Sequence, residues 1–206
     1  MRSRGNNQVS LIFIKLHRYL CIAYFRSVDP KRIFALIIGV GKYGDSSVGR
    51  VWGAVNDAKM MKSFLVDDLK VDPLHIQLLV NGAATRQNIL DGFDKLLCNP
   101  KVKRGDTILF YFTGNATRQA APKGWESPEG MIELICPYDF GTLEGNGETQ
   151  ATHTVEPISN LALSTLFQRL TNKHGDNIVC QNPRKASPVL YSPHRFQYSI
   201  AVIQAA

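Results

Sequence analysis

Ile33-Phe34-Ala35-Leu36-Ile37-Ile38 is an unbroken apolar run that stops at Gly39, and it narrows the possible folds more than any other stretch of the chain. A strand with no polar face has to be covered on both sides, which is the situation of a parallel sheet with helices packed on each face. The segments that follow fit that demand. After a loop rich in Gly, Ser and Asp over 41–49, the apolar positions Val55, Met60, Met61, Phe64 and Leu65 approximate helical spacing. With Asn56, Asp57, Lys59 and Lys62 turned outward, they predict a surface helix from Ala54 to about Asp68.

Ile76 to Val80 reads as a second strand, Asn81-Gly82 turns the chain, and Thr85 is placed to cap a helix. Ile89, Leu90, Phe93, Leu96 and Leu97 give that helix its buried stripe, and Cys98 beside them is expected to be a buried structural thiol. Thr107 to Phe112 is a third strand, rich in aromatic and β-branched residues and stopped by Gly114. Met131 to Cys136 reads as a hairpin strand, Ser159 to Leu170 as a helix through Leu161, Leu163, Leu166, Phe167 and Leu170, and Asp176 to Cys180 as the start of a fourth strand. Strands and helices alternating in this way specify an α/β fold with a mostly parallel sheet.

Charge enters because the formal +7 invites a nucleic-acid or membrane reading. Its distribution argues against one. Residues 1–32 carry seven Lys and Arg against Asp29 alone, residues 181–206 carry three with no acid, and the stretch between them is net −2. No nucleic-acid partner is therefore expected. Leu11 to Phe25 is too short and too interrupted by Lys15, His17 and Arg18 to span a bilayer. A poorly ordered basic extension over 1–32 is the expectation, with a mitochondrial-type presequence or an amphipathic surface helix as alternatives. Cys21, Cys98, Cys136 and Cys180 show neither metal-ligand nor disulfide spacing. Reduced thiols in the cytoplasm, with no metal and no cofactor, are expected.

Four blocks, in order and at consistent spacing, resemble the caspase-like cysteine peptidases, most closely the metacaspase-related, fungal-type caspase domains. They are Phe34 to Gly39 with Tyr43 close behind, Gly53-Ala54-Val55-Asn56-Asp57-Ala58, Arg104 to Phe112, and Cys136-Pro137-Tyr138-Asp139-Phe140. The resemblance implies a three-layer α-β-α sandwich and descent from cysteine endopeptidases that act in proteolysis and regulated cell death. It assigns 33–180 to a partial caspase-like domain, incomplete at its C-terminal side and truncated before the catalytic cysteine block, and leaves 181–206 as a tail outside the family pattern. That tail is expected to be out-of-frame or unspliced sequence.

The resemblance also locates the chemistry. In the family the third strand ends in a Gly-His-Gly turn whose His is the general base; here the turn reads Gly114-Asn115-Ala116. Asn115 holds the base position and Ala116 the oxyanion-hole position. A carboxamide does not titrate near neutral pH, and losing a general base costs about 10²–10⁴-fold. The family's Asp-Cys-Cys-His-Ser-Gly or Asp-Ser-Cys-His-Ser-Gly block is absent, because the chain reads Val179-Cys180-Gln181-Asn182-Pro183-Arg184 where that block should follow. Cys180 is the one conceivable nucleophile, but it falls early, inside the strand, and an inert thiol is the simpler expectation. His75, His153 and His174 do not replace Asn115 by spacing and are expected at the surface. The Arg that caspases use for a substrate Asp falls on Val51, with Arg50 adjacent, and Asp57 is expected to serve the helix surface.

The inactive reading makes the domain a pseudoenzyme that binds protein or peptide partners, including homo- or heterodimers with related chains. The alternative is an active cysteine endopeptidase. A remote third reading rests on Gly39-Val40-Gly41-Lys42-Tyr43-Gly44, a literal G-x-G-x-x-G after a strand, which suggests dinucleotide binding. Against it, Asp45 to Gly49 keeps the chain in a loop where a helix should open, and Asn81 stands where an acid is wanted.

Overall fold

Strand β1 (Ile33–Gly39) is buried at every residue, and its side chains divide between two cores. Phe34, Leu36 and Ile38 enter one, Ile33, Ala35 and Ile37 the other, so the unbroken apolar run is a strand with a core on each side. The computed structural model describes residues 25–125, 130–142, 154–180 and the backbone of 181 and 201–202. In chain order the remaining regular elements are α1 (Ala54–Ser63), β2 (Ile76–Val80), α2 (Arg86–Cys98), β3 (Thr107–Thr113), β4 (Ala116–Ala120), β5 (Met131–Ile135), β6 (Ile158–Ser159), α3 (Asn160–His174), β7 (Ile178–Gln181) and β8 (Ala201–Val202).

The main sheet has the order β2-β1-β3-β7-β8, with β2, β1, β3 and β7 parallel and β8 antiparallel to β7. Ala58 of α1 and Leu65 cover one face with Ile33, Ala35, Ile37, Leu109 and Val179. Helices α2 and α3 cover the other. There Phe93, Phe110 and Phe167 form a mutual ring cluster with centroids 5.2–5.4 Å apart, joining α2, β3 and α3. Each such pair is worth about 0.5–1.5 kcal/mol beyond its buried area. The result is the expected three-layer α/β sandwich. A second, antiparallel sheet, β4-β5-β6, hangs beyond the end of β3.

Several local expectations need correction. In α1 the buried positions are Ala54 and Ala58, not the larger residues, and Met60 is 53% exposed. The helix lies so close to β1 that a Cβ placed on Gly39 would stand 2.6 Å from Ala58 Cβ, a spacing only small residues allow. The helical run does reach Asp68, but over Phe64–Asp68 it widens to a π-helix. Cys98 is exposed. It follows Leu96 by about 200° of helix rotation, on the side away from the stripe. His174 is buried rather than at the surface: its ring Nε2 lies 3.1 Å from the Leu97 carbonyl, and its own carbonyl accepts from Gly105 N–H at 2.7 Å. His75 is partly buried and stacked on Phe34. His153 lies outside the described residues, as do the basic segment 1–24 and positions 182–200 of the tail. Packing extends back past Ile33 to Phe25, which is buried in the α1-side core.

Candidate active site

Parallel sheets place their chemistry at the carboxyl ends of the strands, at the point where the strand order reverses. Here the chain leaves β1 toward β2 and returns to β3 on the other side, so that point lies between β1 and β3. The turn after β3 is Gly114-Asn115-Ala116, and its construction is tight. A Cβ on Gly114 would stand 2.9 Å from Phe112 Cζ, 3.1 Å from Tyr43 Oη and 3.3 Å from Val40 Cβ, so Gly is required there by close approach.

Asn115 is fixed on three sides. Its backbone N–H donates to the Tyr43 hydroxyl at 2.6 Å, its carbonyl accepts from Cys136 N–H at 3.0 Å, and its Nδ2 donates to the Gly49 carbonyl at 2.8 Å. The carboxamide therefore ties the loop after β1 to the turn after β3. Ala116 is exposed and opens β4, opposite Ile135 of β5. Sequence reasoning identified Asn115 but not Tyr43 as its support. The available signal was Tyr43 itself, the one aromatic residue in the loop over 41–49, and the structure buries it to 8% exposure.

Cys136-Pro137-Tyr138-Asp139-Phe140 acts as a clamp around this end of the sheet. Tyr138 accepts from Gly44 N–H at 2.7 Å and donates to the Ala84 carbonyl at 2.8 Å, while Asp139 Oδ1 accepts from Arg86 N–H at 2.8 Å at the start of α2. Thr85 Oγ1 caps the same helix by accepting from Asn88 N–H, as its position predicts.

The thiols are placed differently from one another. Cys180 is paired in β7 opposite Phe110, about 10 Å below the end of β3 at the usual rise per residue. It packs against the α2 and α3 core, and although partly exposed its thiol is desolvated and held well above the ordinary thiol range. Cys136, which sequence reasoning did not consider as a site residue, is the thiol carried next to Asn115. It is buried, and burial pushes it up to about 11, so it is a neutral thiol at physiological pH. The structure thus brings Asn115 together with Tyr43, Gly49 and Cys136, and keeps Cys180 apart from them.

Beside this site, the loop over Gly39–Gly44 does not behave as a dinucleotide fingerprint. Gly44 lies in a loop, α1 opens only at Ala54, and the N–H groups of Gly41 and Lys42 both donate to Asn81 Oδ1, at 2.9 and 3.1 Å. Val51 is buried with its N–H on the Gly41 carbonyl, and Asp57 is partly buried in the first turn of α1. Arg50 is exposed, its guanidinium 5.9 Å from the Trp52 ring centre. No helix among the described residues is long and apolar enough to cross a membrane.

Comparison with known proteins gives this geometry a family context. The profile of the metacaspase, peptidase C14 domain matches residues 33–167. Metacaspase-1 of Arabidopsis thaliana is 30% identical over 44% of this chain and 25% of its own length. Metacaspase-1B of Neurospora crassa is 28% identical over 52% of this chain and 25% of its own, and metacaspase-1 of Scheffersomyces stipitis 30% identical over 52% and 27%. The chain thus spans about a quarter of the length of these relatives. In fold, a crystal structure of a Geobacter sulfurreducens protein superposes with a TM-score of 0.51 at 16% identity, over 72% of this chain and 48% of that one.

Proposed function

The chain belongs to the metacaspase, peptidase C14 domain family, and from that premise we propose that it is a non-catalytic member, descended from cysteine endopeptidases but without their chemistry. One observation carries the reading: the turn after β3, where the resemblance would put the general base, holds an amide, Asn115, whose side chain is engaged as a strut to Gly49. Thiol proteolysis needs a base to take the Sγ proton and return it to the leaving amine, and a carboxamide does neither. The placement of the thiols supports the same reading. Cys180 sits within the sheet and Cys136 is buried, both held as neutral thiols by desolvation.

A domain of this kind retains a role through what it binds, a protein or peptide partner or a related caspase-like chain. Cytoplasmic location and a connection to regulated cell death follow from thiol usage and ancestry under the same proposal. The test is covalent labelling of the folded chain by peptides that carry a thiol-reactive warhead after Arg or Asp. A Cys21→Ser, Cys98→Ser background removes the thiols at the N-terminal segment and the α2 surface. The expected result is no saturable labelling, with or without Asn115→His. Saturable labelling at Cys180 or Cys136 would overturn the proposal and make the chain a protease.

A further inference from the structure

A cavity of about 380 Å³ opens beside β1 on its β2 side, and none of its lining comes from β3 or the turn that carries Asn115. Its lining includes Lys42, Arg50 and Lys59 and no Asp or Glu. Among the described residues none of these three cations takes part in an ion pair. They are concentrated in a stretch, 33–180, whose net charge is −2, so the rest of that stretch is more acidic still. Three like charges around one opening raise the local positive potential, which attracts an anion to it. Trp52 stands at the same opening, 81% exposed, with a flat apolar surface that water covers poorly.

We propose that this cavity is a docking site for an acidic peptide segment of a partner protein, whose carboxylates pair with Lys42, Arg50 and Lys59 and whose neighbouring apolar side chain covers Trp52. Peptide carboxylate is favoured over phosphate by the backbone. Loops that hold phosphate do so with unoccupied N–H groups, whereas the Gly41 and Lys42 N–H groups here are already taken by Asn81. An extended nucleic acid is disfavoured because the cations are confined to one opening within a stretch of net charge −2, rather than laid out as a basic stripe. The inference does not depend on the loss of catalysis, since no cavity residue belongs to the Asn115 turn.

The experiment is a titration of the full chain carrying Trp125→Phe, which leaves Trp52 as its tryptophan, with blocked hexaglutamate, blocked hexalysine and inorganic pyrophosphate as probes. Hexaglutamate should change Trp52 emission saturably, with an affinity that falls about tenfold or more when salt rises from 50 to 300 mM, as expected of screened ion pairs. Lys42→Gln with Lys59→Gln should weaken it at least tenfold, while Lys101→Gln, on an exposed loop elsewhere, should leave it unchanged. Circular dichroism melts of each variant establish that they are folded. Absence of saturable change with hexaglutamate, equal binding by the double variant, or equal or tighter binding of hexalysine or pyrophosphate would each overturn the proposal.

Discussion

The four cysteines show how far a residue's type fails to predict its behaviour, since the three described ones occupy three different environments. Cys98 is exposed at the end of α2, Cys180 is embedded at the sheet, and Cys136 is buried behind Asn115. At pH 8, iodoacetamide followed by peptide mapping should modify Cys98 within minutes and leave Cys136 and Cys180 unmodified until denaturant unfolds the chain. Comparable native rates at all three would refute the assigned burial. The same desolvation has a thermodynamic consequence of defined sign. Below the ordinary thiol value of 9.0, Cys136 is neutral whether folded or unfolded. As pH rises from there toward about 11 the unfolded chain ionises it first, so its contribution to stability is lost across that window. A Cys136→Ala chain should show a smaller decline of its urea midpoint over the same range. The place of Asn115 in the turn after β3 is legible in sequence, because it depends on register after a recognisable strand. Its partners are not, because Tyr43 and Gly49 reach it across loops of irregular backbone.

At the level of elements, legibility followed apolar content. Strands β1, β2, β3 and β7 and helices α2 and α3 were readable because burial on one or both faces imposes period or continuity on the sequence. Strand β4 was missed. Its residues Ala116–Ala120 are mostly exposed and present no apolar alternation, so only its pairing with β5 makes it a strand. The face of α1 was read only in part for the opposite reason: its fully buried positions are alanines, which carry little periodic signal, while Met60 is exposed and Met61 packs at the margin of the core. This contact gives a sharp prediction. Gly39→Ala places a methyl against Ala58 Cβ at 2.6 Å and Ala54 O at 3.0 Å, where rigid backbone and a short side chain offer no relief. Overpacking of that kind costs about 1–3 kcal/mol, measurable as a lowered urea midpoint. Gly49→Ala meets nothing within 4 Å and should change stability by less than about 0.5 kcal/mol. Equal effects at the two glycines would mean that α1 does not approach β1 as described.

For the whole molecule the governing features are the two cores on opposite faces of one sheet and the condition of that sheet's edges. One edge is β2, and beyond β7 on the other side lies β8, a two-residue strand that pairs Val202 with Val179 and Ala201 with Cys180. Sequence reading expected the sheet to be incomplete at its C-terminal side and the tail to be foreign to the fold. The backbone pairing of 201–202 shows the tail supplying a short antiparallel cover for β7, which the alternation of Phe196, Tyr198, Ile200 and Val202 in the sequence is consistent with. A strand as buried on both faces as β7, left with a bare edge, offers unpaired N–H and C=O groups to any other chain and invites edge-to-edge association. Ala201→Pro with Val202→Pro removes both N–H donors of β8 and prevents its pairing. The variant should therefore self-associate, with a weight-average mass from light scattering that rises with concentration above that of the parent chain at equal loading. Circular dichroism at low concentration should show the sheet retained, because β2, β1, β3 and β7 remain paired with one another without β8. If mass and melting temperature instead match the parent at every concentration, β8 does not protect the β7 edge, and whatever keeps that edge from associating must be sought in β7 itself.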